Sequence, residues 1–153
     1  MKRILISSLV VMSMVAMLSV LGCAGKGKGP TDEELIRATI DKVKTALESK
    51  NIDMLMETLA EDFEHPEVGG KQEVKPMLQL GLESGYADEG KVDLGNMQIK
   101  INNDGTASAY PIDLSSVAGA VSVELILKKY ETTNEKGKKV PAWLVKTINV
   151  DGL

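Results

Sequence analysis

The sequence predicts an α+β domain in which three helices precede a four-stranded antiparallel sheet. Three observations carry this. Apolar residues recur at helical spacing as far as Ser84 and at alternate positions from Met97 onward. Two turn signals, Asn102-Asn103-Asp104-Gly105 and Asn134-Glu135-Lys136-Gly137, divide the second half into hairpin-length segments. A helix-start signature, Thr31-Asp32-Glu33-Glu34, follows directly on Pro30.

In the first helix Thr31 caps the free amides and Glu34 reaches back to the cap. Ile36, Ile40, Val43 and Leu47 share one face, while Arg37, Asp41, Lys44 and Glu48 lie on others. Ser49-Lys50-Asn51 ends it. Asn51 or Asp53 caps the second helix, whose stripe is Leu55, Leu59 and Phe63 with Ile52 and Met56 beside it. Pro66 disfavours helical geometry at His65 and stops this helix there. Gly69-Gly70 reads as a turn. The third helix lies between Lys71 and Ser84, with Val74, Met77, Leu78 and Gly81 or Leu82 inward. Pro76 removes one intrahelical bond, so this helix either starts near Lys75 or is kinked. Ser84-Gly85 closes it, and residues 86–90 form a loop.

The period then changes to two. Met97, Ile99 and Ile101 alternate with Gln98 and Lys100. In the returning strand, residues 106–114, Ala107, Ala109 and Pro111 fall on one side and Tyr110 and Ile112 on the other; Pro111 marks a sheet edge or bulge. In the third strand, residues 120–131, Val121, Val123, Leu125 and Leu127 alternate with Ser122, Glu124 and Ile126. The last strand, residues 140–150, places Trp143, Val145 and Thr147 on one face and Leu144, Ile148 and Val150 on the other.

The first thirty residues are set apart from this domain. Met1-Lys2-Arg3 is cationic, and Ile4 to Leu21 follows without a charge. A positive start, an apolar run and small residues at the end form the secretory pattern. At 18 residues the run also reaches the lower edge of a membrane span. Val20-Leu21-Gly22-Cys23 resembles the bacterial lipobox. That resemblance implies cleavage before Cys23 and acylation of its sulfur, with two or three fatty chains giving a firm anchor. The expected organisation is a lipoprotein signal peptide at 1–22, a flexible tether at 23–30 and one domain at 31–153. Ala24, in place of Asp, directs the expectation to the outer membrane, periplasm-facing, in a Gram-negative host.

Charge and composition narrow the function classes. The chain has 153 residues, about one domain's length, and 43% are apolar. From Thr31 onward 14 basic residues stand against 22 acidic ones, a net charge of −8, which disfavours nucleic-acid binding. One Cys and one His exclude a disulfide framework and a His/Cys zinc cage. There is no phosphate loop, dinucleotide glycine motif, nucleophile elbow or zincin pair. No metal and no cofactor is expected.

Several local phrases are similar to the nuclear transport factor 2-like superfamily, in particular its SnoaL-like branch. They are Glu48-Ser49-Lys50-Asn51-Ile52-Asp53, Leu59-Ala60-Glu61-Asp62-Phe63, His65-Pro66, Gly69-Gly70-Lys71 and Trp143-Leu144-Val145. The resemblance covers residues 31–153 and implies a curved sheet wrapping a long helix into a cone-shaped α+β barrel with an internal pocket. Such proteins include isomerases, dehydratases, cyclases and epoxide hydrolases, and others that bind without chemistry or only dimerise, so the fold does not fix the function.

His65, the only His, is the side chain suited to proton transfer near neutral pH, and Asp62 is three residues before it. The resemblance puts His65 near a pocket mouth. Set against this, a His at a helix C-terminus is favoured by the helix dipole alone. Asp113 is a second candidate base, with Tyr110 as its neighbour, although Asp near a strand end usually serves a turn. Phe63, Met77, Tyr110, Tyr130 and Trp143 are candidate pocket-lining residues. Three functions stay open. The first is a tethered, non-catalytic lipoprotein binding a small apolar ligand or a partner protein. The second is a small-molecule isomerase, lyase or hydrolase using His65 with Asp62 or Asp113. The third is a homodimer joined through the outer sheet face, with Ile126, Leu144 and Ile148 as apolar candidates.

Overall fold

The computed structural model describes residues 29–151. The signal segment, Cys23 and most of the tether lie outside them. Helix α1 (Asp32–Glu48) begins as its capping box dictates: the Thr31 hydroxyl accepts the Glu34 amide at 3.3 Å, and the Glu34 carboxylate accepts the Thr31 amide at 2.7 Å. Ile36, Ile40, Val43 and Ala46 form its buried stripe, with Leu47 half-buried at its end.

Helix α2 (Ile52–Thr58) is capped by Asn51, whose side-chain oxygen accepts the Met54 amide at 3.0 Å. It ends well before His65. The Ala60 amide donates to the Val145 carbonyl at 2.9 Å, and Leu59 forms a parallel bridge to Val145. Pairing with the sheet thus replaces the last helical turn, and Leu59, Ala60 and Phe63 are buried without being helical. The chain then forms a two-stranded ribbon, β1 (Glu64–His65) against β2 (Gly69–Gly70). His65 is therefore on a strand rather than at a helix C-terminus, and Gly69-Gly70 belongs to a strand. Helix α3 (Lys71–Glu83) starts at Lys71 and takes Pro76 inside it.

The main sheet has five antiparallel strands: β3 (Lys91–Asp93), β4 (Gln98–Ile101), β5 (Thr106–Ser116), β6 (Gly119–Thr133) and β7 (Lys139–Asp151). Their order is β3-β5-β6-β7, and β4 shares the outer edge of β5 with β3. β4 pairs with residues 107–110 and β3 with residues 113–115. The three helices and the curved antiparallel sheet match expectation. The added strand, β3, is too short to show a period in sequence.

Two irregularities set which side chains enter the core. The pairing of β5 with β6 skips Tyr110 and Pro111, and the pairing of β6 with β7 skips Lys146. An extra residue inverts the alternation beyond it. Ile112 therefore joins Ala107 and Ala109 in the core instead of facing away. Ile148 and Val150 likewise pack on the core side together with Trp143 and Val145. The inner face of the sheet, built on Val92, Ile112, Val123, Leu125, Leu127 and Val145, closes against α1. Ile126 and Leu144 remain half-exposed.

Candidate functional site

The structure separates the residues that the sequence singles out. Asp62 lies in the segment that follows α2 and is committed to partners on β6 and β7. Its carboxylate accepts the Tyr130 hydroxyl at 2.6 Å and lies 3.3 Å from the Lys146 ammonium, which also donates to the Asp62 carbonyl. The Tyr130 hydrogen bond comes first in holding the Asp62 carboxyl below its ordinary pKa; burial opposes it, and the Lys146 hydrogen bond and charge add to the lowering. Burial, and next its hydrogen bond to Asp62, push the Tyr130 phenol up, so it remains a donor. His65 has no hydrogen bond to Asp62. Its Nδ1 accepts the Glu67 amide at 3.2 Å, which closes the β1–β2 turn. It lines a small hollow of about 200 Å³ with Pro66, Glu67, Ile148, Asn149 and Val150.

Asp113 follows the core residue Ile112 by one position and so faces the outside of the sheet. It accepts the Ser122 hydroxyl, its cross-strand partner. Tyr110 is exposed and donates to Asp151 at 2.5 Å; that hydrogen bond, and next the carboxylate charge, raise its pKa. Phe63 and Trp143 are core residues. The Trp143 indole donates to Asp32 at 3.1 Å, and Asp32 is held below its ordinary pKa chiefly by the Lys129 ammonium at 2.6 Å. Of the five aromatic or methionine candidates, Met77 is the one that lines a large hollow.

Two larger hollows lie at the other end of α1. One, of about 390 Å³, is enclosed by Leu47, the loop residues Tyr86, Ala87 and Gly90, the strand residues Val92 and Leu114, and the β5–β6 turn. The second, of about 330 Å³, lies between α1, α2 and α3 and is lined by Ala46, Ile52, Leu55, Met77, Leu78 and Gly81 among others. Leu47, Tyr86 and Ala87 line both. The two are therefore neighbours, divided by the loop that joins α3 to β3.

That loop is held in place at several points. The Tyr86 amide donates to the Gly81 carbonyl at 3.0 Å, continuing the end of α3. Gly85 has φ +78°, a conformation that favours glycine. A side chain at Gly90 would come within 2.9 Å of the Ala87 carbonyl oxygen. Asp88 pairs with Lys50, and its carbonyl accepts the Val117 amide at 3.0 Å. The loop is thus fastened to α1 on one side and to the β5–β6 turn on the other.

Sequence reasoning missed this groove. It looked to Phe63, Tyr110, Tyr130 and Trp143 beside Met77, whereas the groove walls are mainly aliphatic and the one aromatic residue lining them, Tyr86, is in a loop. A Tyr within the short loop predicted at residues 86–90 was the available signal. Among the described residues no group of three His, Cys, Asp or Glu side chains is placed to hold a metal ion.

The architecture is shared by many solved structures. An NTF2-like protein of unknown function from Shewanella oneidensis superposes with a TM-score of 0.58 at 12% identity, over 78% of this chain and 98% of that one. An NTF2-like protein with a cystatin-like fold from Novosphingobium aromaticivorans gives 0.56 at 18% identity, over 80% and 84%. Aln2 from a Streptomyces species gives 0.56 at 12% identity, over 80% and 93%. No family model matches the sequence, and no curated protein matches it. At these identities the likeness defines the fold, the curved-sheet α+β cone of NTF2-like proteins.

Proposed function

We propose that this chain is a lipid-anchored protein of the bacterial envelope whose domain binds a small apolar ligand without chemical conversion. One observation carries the binding reading: two adjoining hollows of about 390 and 330 Å³, each within the size of small-molecule sites, are walled mainly by aliphatic side chains. No His, Asp or Glu lines either of them. His65 and Asp62 are elsewhere, bonded to separate partners, which favours binding over acid–base chemistry. The anchor rests on the lipobox-like Val20-Leu21-Gly22-Cys23.

Each half of this reading has its own test. Anilinonaphthalene sulfonate, a dye that brightens in apolar hollows, is expected to bind the mature chain saturably under native conditions. A dye response no larger than that of a well-packed control protein would reject the binding half. For the anchor, Cys23→Ser is expected to abolish acylation and release from the signal segment. Unchanged gel mobility and membrane retention in that variant would reject it.

A further inference from the structure

The two hollows differ in the polarity and charge of their walls. They adjoin across Leu47, Tyr86 and Ala87, so a ligand passing beneath the 86–87 loop would occupy both. The wall of the helical hollow offers aliphatic side chains and almost no polar surface beyond Lys50 and Asn51. A compact ligand rich in hydroxyl groups would lose its hydrogen bonds there. The hollow beside the sheet differs, since Ser115, Ser116 and Lys91 contribute to its lining.

Charge sharpens the picture. The domain from Thr31 onward carries a net charge of −8, yet the charged residues lining the two hollows are Lys50 and Lys91, with no carboxylate among the lining residues. Lys50 is engaged by Asp88. Lys91 has no ion-pair partner among the described residues. A free cation at the sheet end and an apolar hollow at the helix end suit an amphiphile with an anionic head and a single flexible tail.

We propose that the two hollows form one site for a single-chain alkyl carboxylate, a free fatty acid. Its carboxylate pairs with Lys91, and its tail runs under Tyr86 and Ala87 into the cleft between α1, α2 and α3. This rests on the apolar-ligand reading above and names the ligand class of that site.

Gly81 provides the means to test continuity. It lines the helical hollow only, and a side chain there meets nothing within 4 Å on its first carbon. Replacing a helical glycine by leucine also favours the helix, so Gly81→Leu fills that hollow without unfolding α3. The experiment is calorimetric titration of the mature chain, residues 23–153 made without lipidation, with octanoate, laurate, dodecanol and dodecyltrimethylammonium. Laurate is expected to bind more tightly than octanoate, by roughly tenfold for each two methylenes buried. Gly81→Leu is expected to weaken laurate and leave octanoate unchanged. Lys91→Gln is expected to weaken laurate by about fivefold and leave dodecanol unchanged. Equal binding of laurate by Gly81→Leu would overturn the single continuous site. Equal binding of laurate and dodecyltrimethylammonium would overturn the anionic head. If the dye binds and neither carboxylate does, the fatty-acid assignment falls while the apolar-ligand reading stands; if the dye also fails, both fall.

Discussion

The two ends of α1 sit in different surroundings. At its start, Asp32 receives the Lys129 ammonium and the Trp143 indole N–H, and the Thr39 hydroxyl donates to the Trp143 carbonyl at 2.6 Å. Trp143 is 3% exposed, and among the described residues no buried side-chain polar atom lacks a hydrogen-bond partner. At its far end, Leu47 stands between two hollows, and Leu80, Tyr86 and Val117 are more than half exposed. Glu48 still ties this end to the sheet, by accepting the Val92 amide at 3.0 Å and the Lys44 ammonium at 2.5 Å. The comparison shows that one end supplies stability and the other leaves apolar surface incompletely covered. Exposed apolar patches of this kind on soluble domains commonly mark ligand or partner sites.

Trp143→Ala gives the largest expected effect, because it empties the packed end. Loss of a buried Trp costs about 3–5 kcal/mol. It also removes one of the two hydrogen-bonding partners of Asp32, leaving Lys129. Urea unfolding measures this loss, while dye binding per folded molecule is expected to stay near the wild-type value. A variant that keeps its stability but loses the dye would reverse the assignment of the two ends.

The packed end was the more legible in sequence, for physical reasons. A capping box and a stripe of Ile36, Ile40, Val43 and Leu47 are local signals, and the structure follows them except at the last position, where Ala46 is buried and Leu47 half-buried. The turns at 102–105 and 134–137 are equally local. What was hidden depends on contacts distant in the chain. Helix α2 stops at Thr58 because Ala60 pairs with Val145, which no local window contains. The skipped residues opposite β6 put Ile112, Ile148 and Val150 on the core face, although strict alternation places them opposite. The groove was hidden for the same reason. It is assembled from Leu47 at the end of one helix, Gly81 near the end of another, a short loop and the β5–β6 turn. None of these carries a motif.

A smaller effect comes from Asp62, which fastens the Leu59–Phe63 segment to the sheet side of the packed end. Its carboxyl is held below the ordinary value of 3.8, first by the Tyr130 hydroxyl and then by Lys146. A depressed carboxyl stabilises the fold fully above its unfolded pKa, and that contribution disappears as pH falls through the lower folded value. Stability is therefore expected to be level above about pH 5 and to decline in more acidic buffer. Asp62→Asn should lower the neutral-pH stability slightly and flatten that decline. Because Asp62 is solvent-exposed, the difference stays small. A decline of unchanged steepness in the variant would show that other carboxylates, such as Asp32 and Glu48, dominate.

Tyr86→Ala is expected to have the smallest effect on stability and tests the comparison most directly. Tyr86 is 65% exposed, so truncation removes little buried surface, and the change in urea stability should stay within about 0.5 kcal/mol. The backbone that holds the loop, from the Gly81 carbonyl to the Val117 amide, is untouched by this substitution. The ring nevertheless lines both hollows, and its loss should weaken dye binding severalfold. If stability drops by as much as in Trp143→Ala, the loop belongs to the core and the two ends of α1 are alike. If stability and dye affinity are both unchanged, the wall between the hollows does not take part in binding. Stability unchanged with affinity reduced is the pattern that an uncovered binding end requires.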